Sequence, residues 1–273
     1  MSDITQEDGA PEEDTPDNSE VEESRAPLLS HLIELRRRLL YIVVAFFVVF
    51  VGCVLVAEDI YAFLVEPLSA LMQDRENPRL IFTGLAEVLF TQLKVAFFAA
   101  LMISFPILAG QMWLFIAPGL YRKEKLAFLP FLVATPVLFT LGAAMAYYVV
   151  FPFAWDFFLS FEAPAAQDGG MGIEFEGKVD EYLSIVMRLI FAFGVSFMLP
   201  VALVLLGKVG IISAAWLQAR RRYTIVFVFV LGAILTPADP FSQIAVAVPV
   251  LILYEISIII IKMMEKTRKS SSG

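Results

Sequence analysis

Long apolar stretches alternate with short polar segments along nearly the whole chain. They run roughly over 39–57, 88–115, 126–151, 182–206, 223–235 and 241–261. A helix of about 20 residues crosses the ~30 Å hydrocarbon core of a bilayer, and four or five of these runs reach that length. Helices satisfy every backbone group inside lipid, so the pattern predicts an all-α, polytopic membrane protein of six transmembrane helices. The fifth run is short. Its thirteen residues between Arg222 and Thr236 rise about 20 Å, which requires a thinned bilayer, tilted neighbours or a covering helix.

Prolines punctuate the runs. Pro106, Pro136, Pro200 and Pro249 stand inside runs two, three, four and six, where each deletes a backbone donor and bends its helix. Bends in four spans predict a kinked, concave bundle. Residues 58–87 and 152–181 are acidic, contain Pro and Gly, and are expected to cap one end, whereas 236–240 is a tight turn. Ile60, Phe63, Leu64, Leu68 and Leu71 recur at helical spacing around Pro67, predicting a short helix at the interface.

The basic residues orient the bundle. Fifteen of the 20 lysines and arginines fall on the side shared by the two termini, so the positive-inside rule predicts both termini in the cytoplasm. The net charge of −8 misleads, because residues 1–26 hold ten carboxylates and one arginine. That composition predicts a disordered acidic cytoplasmic tail, followed by a membrane domain over 27–265 and a basic cytoplasmic tail over 266–273. Hydrophobic residues make up 59% of the chain and the mean hydropathy is +0.78, outside the range of a soluble domain. The acidic start does not resemble a cleavable signal peptide, and the first run is expected to act as an uncleaved anchor. Cys53 is the one cysteine, leaving no internal disulfide to form.

Candidate chemistry narrows further. No Walker loop, dinucleotide-binding glycine motif or metal-ligand cluster is present, and His31 is the one histidine, so neither an enzyme nor a bound cofactor is expected. Nothing points to nucleic acid. Glu34 lies in SHLIELRRR (30–38) and Glu124 in the YRKEK end of QMWLFIAPGLYRKEK (111–125). From the residues alone, Glu34 pairs with Arg37 or Arg38 one helical turn on, and Glu124 neutralises Arg122, Lys123 and Lys125. The neighbouring cations suit anionic lipid headgroups. Glu87, Lys94, Arg188 and Glu255 lie in or beside spans, where ionisable groups are rare. Lys94 and Arg188 are close enough to the outer end to snorkel, and share helical faces with Glu87 and Glu181 respectively. Glu255 faces either Lys262 or another span.

HLIELRRR at 31–38, the QMWLFIAPGLYRKEK loop, YLSIVMRLIFAFGVSFMLP at 182–200 and RRRYTIVFVFVLGAILTPADPFSQ at 220–243 occur in an order and spacing that resembles the TatC family. That family is the core subunit of the twin-arginine, Sec-independent protein translocase, and the resemblance extends over essentially all of 28–265. It implies a receptor for the Arg-Arg signal peptides of folded preproteins, driven by the proton gradient, in the cytoplasmic (inner) membrane. Implied partners are small single-span subunits of the TatA/TatB type, in a hetero-oligomer holding several copies of this chain. The family's two signal-contacting glutamates match Glu34 and Glu124, with Phe115, Ile116 and Leu120 bordering the apolar part of the signal. Asp239 and Gln243 fall where partner subunits dock. Met198 departs from the pattern, since several members carry a polar or acidic residue there, so no carboxylate role transfers to it. The alternative reading, a secondary transporter of a small solute, requires inverted repeats and a polar midplane site, which the sequence does not display.

Overall fold

The computed structural model describes residues 18–73, 79–120, 129–162, 172, 175–235 and 240–271. Among them the chain is helical throughout, joined by short turns and a single isolated β-bridge. Five helical stretches are long and apolar enough to cross a membrane: Leu32–Leu55, Glu87–Phe115, Leu129–Leu159, Val179–Val209 and Gln243–Thr267. They coincide with runs one, two, three, four and six. The fifth run forms a helix of 15 residues, Arg221–Leu235, too short to join that group.

The first span belongs to α1 (Asn18–Leu55), which begins inside the stretch whose composition predicts a disordered tail. After a one-residue break comes α2 (Ala57–Leu71), the amphipathic helix expected around Pro67. One face of it packs onto the bundle. Leu64 and Leu68 are buried against α3 (Glu87–Leu120), α5 (Phe151–Leu159) and α6 (Val179–Phe197).

Two spans break where proline dictates. The third run was expected to end at Phe151, but α4 (Leu129–Met145) passes through a π-helical turn at Ala146–Val150 into α5 and ends at Leu159. Pro152 lacks an N–H and its ring crowds the carbonyl four residues earlier, so a wider turn just upstream relieves the clash. The Phe151 N–H accordingly reaches back five residues to the Ala146 carbonyl. The fourth run divides at Met198 into α6 and α7 (Leu199–Val209), with Pro200 in the first turn of α7. Pro106, Pro136 and Pro249 stay inside continuous helices.

Close approach sets the centre of the bundle. A Cβ on Gly142 of α4 would lie 2.8 Å from the Phe193 carbonyl carbon of α6 and nearer still to its oxygen, and one on Gly194 would lie 2.7 Å from the Phe139 ring. Each glycine thus accommodates the partner helix, the small-residue device by which membrane helices gain van der Waals contact. The remaining helices, α8 (Ala214–Ala219), α9 (Arg221–Leu235) and α10 (Pro240–Ser271), pack as a second group in which α10 contacts α7, α8 and α9. At the end bearing α2, the segments before α3 and α6 join by a parallel bridge, with Ile81 N–H donating to Gly177 O at 2.9 Å and Val179 N–H to Ile81 O at 3.0 Å.

Candidate functional site at the basic end of the bundle

The basic end gathers the middle of α1 around Glu34 and Arg38, the last turns of α3, the start of α4, and the α7–α9 turns. Glu34 and Arg38 stand one turn apart on α1, and the Arg38 guanidinium donates through Nε at 3.0 Å and Nη2 at 2.5 Å to Glu34 Oε1. Of the two partners open to Glu34 on its own helix, Arg38 is the one in place. Arg38 reaches further. Its Nη1 donates to Gln111 Oε1 of α3 at 3.3 Å, so one fork of donors ties two helices that antiparallel packing brings side by side. Arg38 is 16% exposed and Glu34 29% exposed at the side chain, which shields the pair more than a free surface ion pair.

Aromatic residues brace the floor. Trp113 Nε1 donates to Thr135 Oγ1 at 2.8 Å, and Thr135 in turn donates to the Phe131 carbonyl at 2.7 Å, locking α3 to α4 beside Gln111. Phe115, one turn beyond Gln111, is half-buried. Glu124 lies outside the described residues, as do Asp239 and the Leu120 side chain. The Lys208 ammonium stands 5.6 Å over the Phe131 ring and the Arg220 guanidinium 4.3 Å over Trp216, a geometry that stabilises cations beside aromatic faces.

The other candidate residues sit elsewhere. Gln243 Nε2 donates to the Phe229 carbonyl at 2.7 Å, tying α10 to α9. Glu255 pairs with Arg221 of α9 at 2.6 Å rather than with Lys262, because the first turn of α9 brings its guanidinium across to α10. Glu87 does not pair with Lys94. Its Oε2 accepts from Thr83 N–H at 2.7 Å, Gly84 N–H at 3.0 Å and Thr83 Oγ1 at 3.2 Å, satisfying backbone donors that the start of α3 would otherwise leave open. Lys94 instead meets Asp180 of α6 at 2.5 Å. Glu181 likewise turns to Lys178 at 3.5 Å, and Arg188 is exposed on α6 without an ion pair among the described residues. Met198 occupies the α6–α7 break and packs on Phe105, Ala109 and Phe139. At the end opposite Glu34, α1, α3 and α6 border a groove of about 740 Å³ walled by Phe50, Phe90, Phe97, Met187 and Phe191.

Sequence reasoning missed Tyr147 and Tyr182. Tyr147 donates to the Phe63 carbonyl at 2.6 Å and Tyr182 to the Leu64 carbonyl at 3.0 Å. The signal was available for the first: Pro67 has no N–H, so the carbonyl four residues earlier, on Phe63, needs another donor.

A model of the family "Sec-independent protein translocase protein (TatC)" matches residues 30–249. The chain belongs to the TatC family. The TatC protein of Magnetococcus marinus is 48% identical over 246 residues, which cover 90% of this chain and 88% of that protein. The TatC protein of Escherichia coli K12 is 43% identical over 236 residues, covering 86% and 88% respectively. A crystal structure described as the twin arginine translocase receptor TatC superposes with a TM-score of 0.71 at 36% identity, covering 85% of this chain and 98% of that one. This TatC-family chain is therefore an integral membrane component of a protein translocase, and Glu34, Arg38, Gln111 and Phe115 all lie inside the matched segment.

Proposed function

We propose that this TatC-family chain is the receptor for twin-arginine signal peptides and the core of a translocase that exports folded proteins, driven by the proton gradient. The observation that carries the reading is a shielded carboxylate, Glu34, holding a guanidinium through two donors beside a second helix. A site that accepts one guanidinium has the chemistry to accept another, since the carboxylate matches the planar fork of arginine and a lysine ammonium offers no such fork. A second arginine needs a second acid, and Glu124 is proposed for that role. Phe115, Ile116 and Leu120 would then border the apolar segment that follows the arginines.

The same reading sets the topology and partners. The clusters Arg36 to Arg38 and Arg220 to Arg222 support a reading, by the positive-inside rule, with the basic end and both termini in the cytoplasm, α9 as a short sixth span, and the protein in the cytoplasmic (inner) membrane. Anionic lipids neutralise the cations that face the headgroups. Small single-span subunits dock beside α9 and α10 near Asp239 and Gln243, in a hetero-oligomer with several copies of this chain.

Site-specific crosslinking tests the receptor. Glu34→Ala or Glu124→Ala in the full chain weakens capture of an Arg-Arg signal peptide more than that of its Lys-Lys counterpart. Equal loss for both peptides defeats the proposal.

A further inference from the structure

The bonding of Arg38 carries a consequence for recognition that rests on the receptor reading of Glu34. Nε and Nη2 of Arg38 both donate to the same oxygen, Oε1 of Glu34, while Nη1 holds Gln111. The two parallel donors converge on Oε1 from one side and set the edge of the Arg38 guanidinium against that face of the carboxylate. A bidentate fork from a second guanidinium requires one acceptor direction on each carboxylate oxygen. A guanidinium that approaches this face of Glu34 meets Arg38 already in place, and its fork forms there only when Arg38 moves.

We propose that Arg38 is a resident guanidinium that occupies the recognition carboxylate in the empty receptor, so that a signal arginine binds by displacing it. The exchange is chemically symmetric: one guanidinium leaves Glu34 as another arrives, and the carboxylate is never left unpaired. A consequence follows for affinity. The resident side chain weakens all binding at Glu34, because each incoming cation must first break the contacts that Arg38 makes. The factor is the same for a guanidinium and an ammonium, since both displace the same contact, so Arg38 sets the strength of the site and the fork of the signal arginine sets its preference. Arg38 is thus an internal competitor for its own ligand.

Displacement has a structural correlate. Arg38 is also the link from Glu34 on α1 to Gln111 on α3, so its departure releases that polar tie between the two helices. Filling the site and releasing that one hydrogen bond become one event.

The test measures binding of labelled Arg-Arg and Lys-Lys signal peptides to the full chain in nanodiscs. Arg38→Gln removes the competitor; the expected result is tighter Arg-Arg binding by about fivefold, the scale of a partly shielded charged contact. Lys-Lys binding tightens by a similar factor, so the ratio between the two peptides is kept. Arg38→Lys keeps the charge but loses the fork, and is expected to move both affinities the same way by less, which decides the matter if Arg38→Gln does not fold. Unchanged or weaker Arg-Arg binding in the folded variants overturns the proposal, because a side chain that only positions Glu34 would produce that loss. Glu34→Gln serves as the separate control. If it leaves Arg-Arg binding intact, the receptor role of Glu34 itself fails; if it abolishes binding while the Arg38 variants do not tighten it, the displacement alone fails.

Discussion

The α1 helix and the α6 helix are both apolar spans of this bundle, yet they are held in opposite ways. Of the apolar window of α1 only 6% is buried inside the protein, against 44% for the span that contains α6. A Cβ added to Gly52 of α1 would meet nothing within 4 Å, whereas Gly142 and Gly194 sit at contact distances that exclude one. α6 is fixed by interlocked shape. α1 packs on α3 along a long seam that includes Cys53, Ala96 and the Phe46, Phe50 and Phe97 rings and, at its basic end, the Arg38–Gln111 hydrogen bond, while its other face stays open. Polar ties exchange partners at little cost, and packed glycine crossings do not. The recognition chemistry thus sits on a helix with one packed face and one open face, carried by a bundle closed at its centre.

Paired glycine substitutions test that contrast most severely. Gly142→Leu drives a side chain into the Phe193 carbonyl, whose carbon lies 2.8 Å from the new Cβ and whose oxygen is nearer still, and rigid backbone cannot yield as a flexible side chain would. A loss of about 3 kcal/mol or more is expected, visible as collapse of the monodisperse peak after mild heating in detergent. Gly52→Leu, on the open face of α1, is expected to stay within about 0.5 kcal/mol of the parent. Comparable damage from both would erase the distinction between the two helices.

Next in size is the tie between the bundle and its cap. Tyr147→Phe leaves the Phe63 carbonyl without the donor that replaces the missing N–H of Pro67, at a cost of about 1 kcal/mol for a part-buried hydrogen bond. Thermal unfolding followed by tryptophan fluorescence should show the drop. Adding Pro67→Ala restores a helical N–H four residues beyond Phe63, so the double variant is expected to recover most of the loss. Tyr182→Phe costs less than Tyr147→Phe, because Leu68 keeps the N–H that a helix directs at the Leu64 carbonyl.

These features show what could be read in advance. Apolar periodicity located the five long spans, the amphipathic α2 helix and the shortness of α9, because each is a property of a contiguous segment. Pro200 announced the break at Met198 for the same reason, whereas Pro152 was placed in a loop when a π-helical turn absorbs it and the helix runs on to Leu159. Pairings across elements were not legible. Glu87 shares a face with Lys94 by spacing, but backbone donors at Thr83 and Gly84 claim its carboxylate, and the partner of Lys94 comes from α6, 86 residues away. For Glu34, the local reading and the family reading describe the same carboxylate: Arg38 fills it within the chain, and a signal arginine is proposed to replace it.

The smallest effect is expected at that Lys94–Asp180 pair, and its size is informative because the pair joins α3 to the rigid helix. The two side chains are 50% and 36% exposed, beside the apolar groove at the end opposite Glu34. Water-exposed pairs contribute about 0.2–1 kcal/mol, so Lys94→Gln and Asp180→Asn should each lower stability by no more than that in detergent at moderate salt. The double variant should cost less than the sum of the two, since the second change removes a group that has already lost its partner. Raising the salt should shrink the single-variant effects, as screening predicts for exposed charges. A loss near 3 kcal/mol, insensitive to salt, would mean that the pair is desolvated where α3 meets α6, and that the α6 crossing depends on charge as much as on shape.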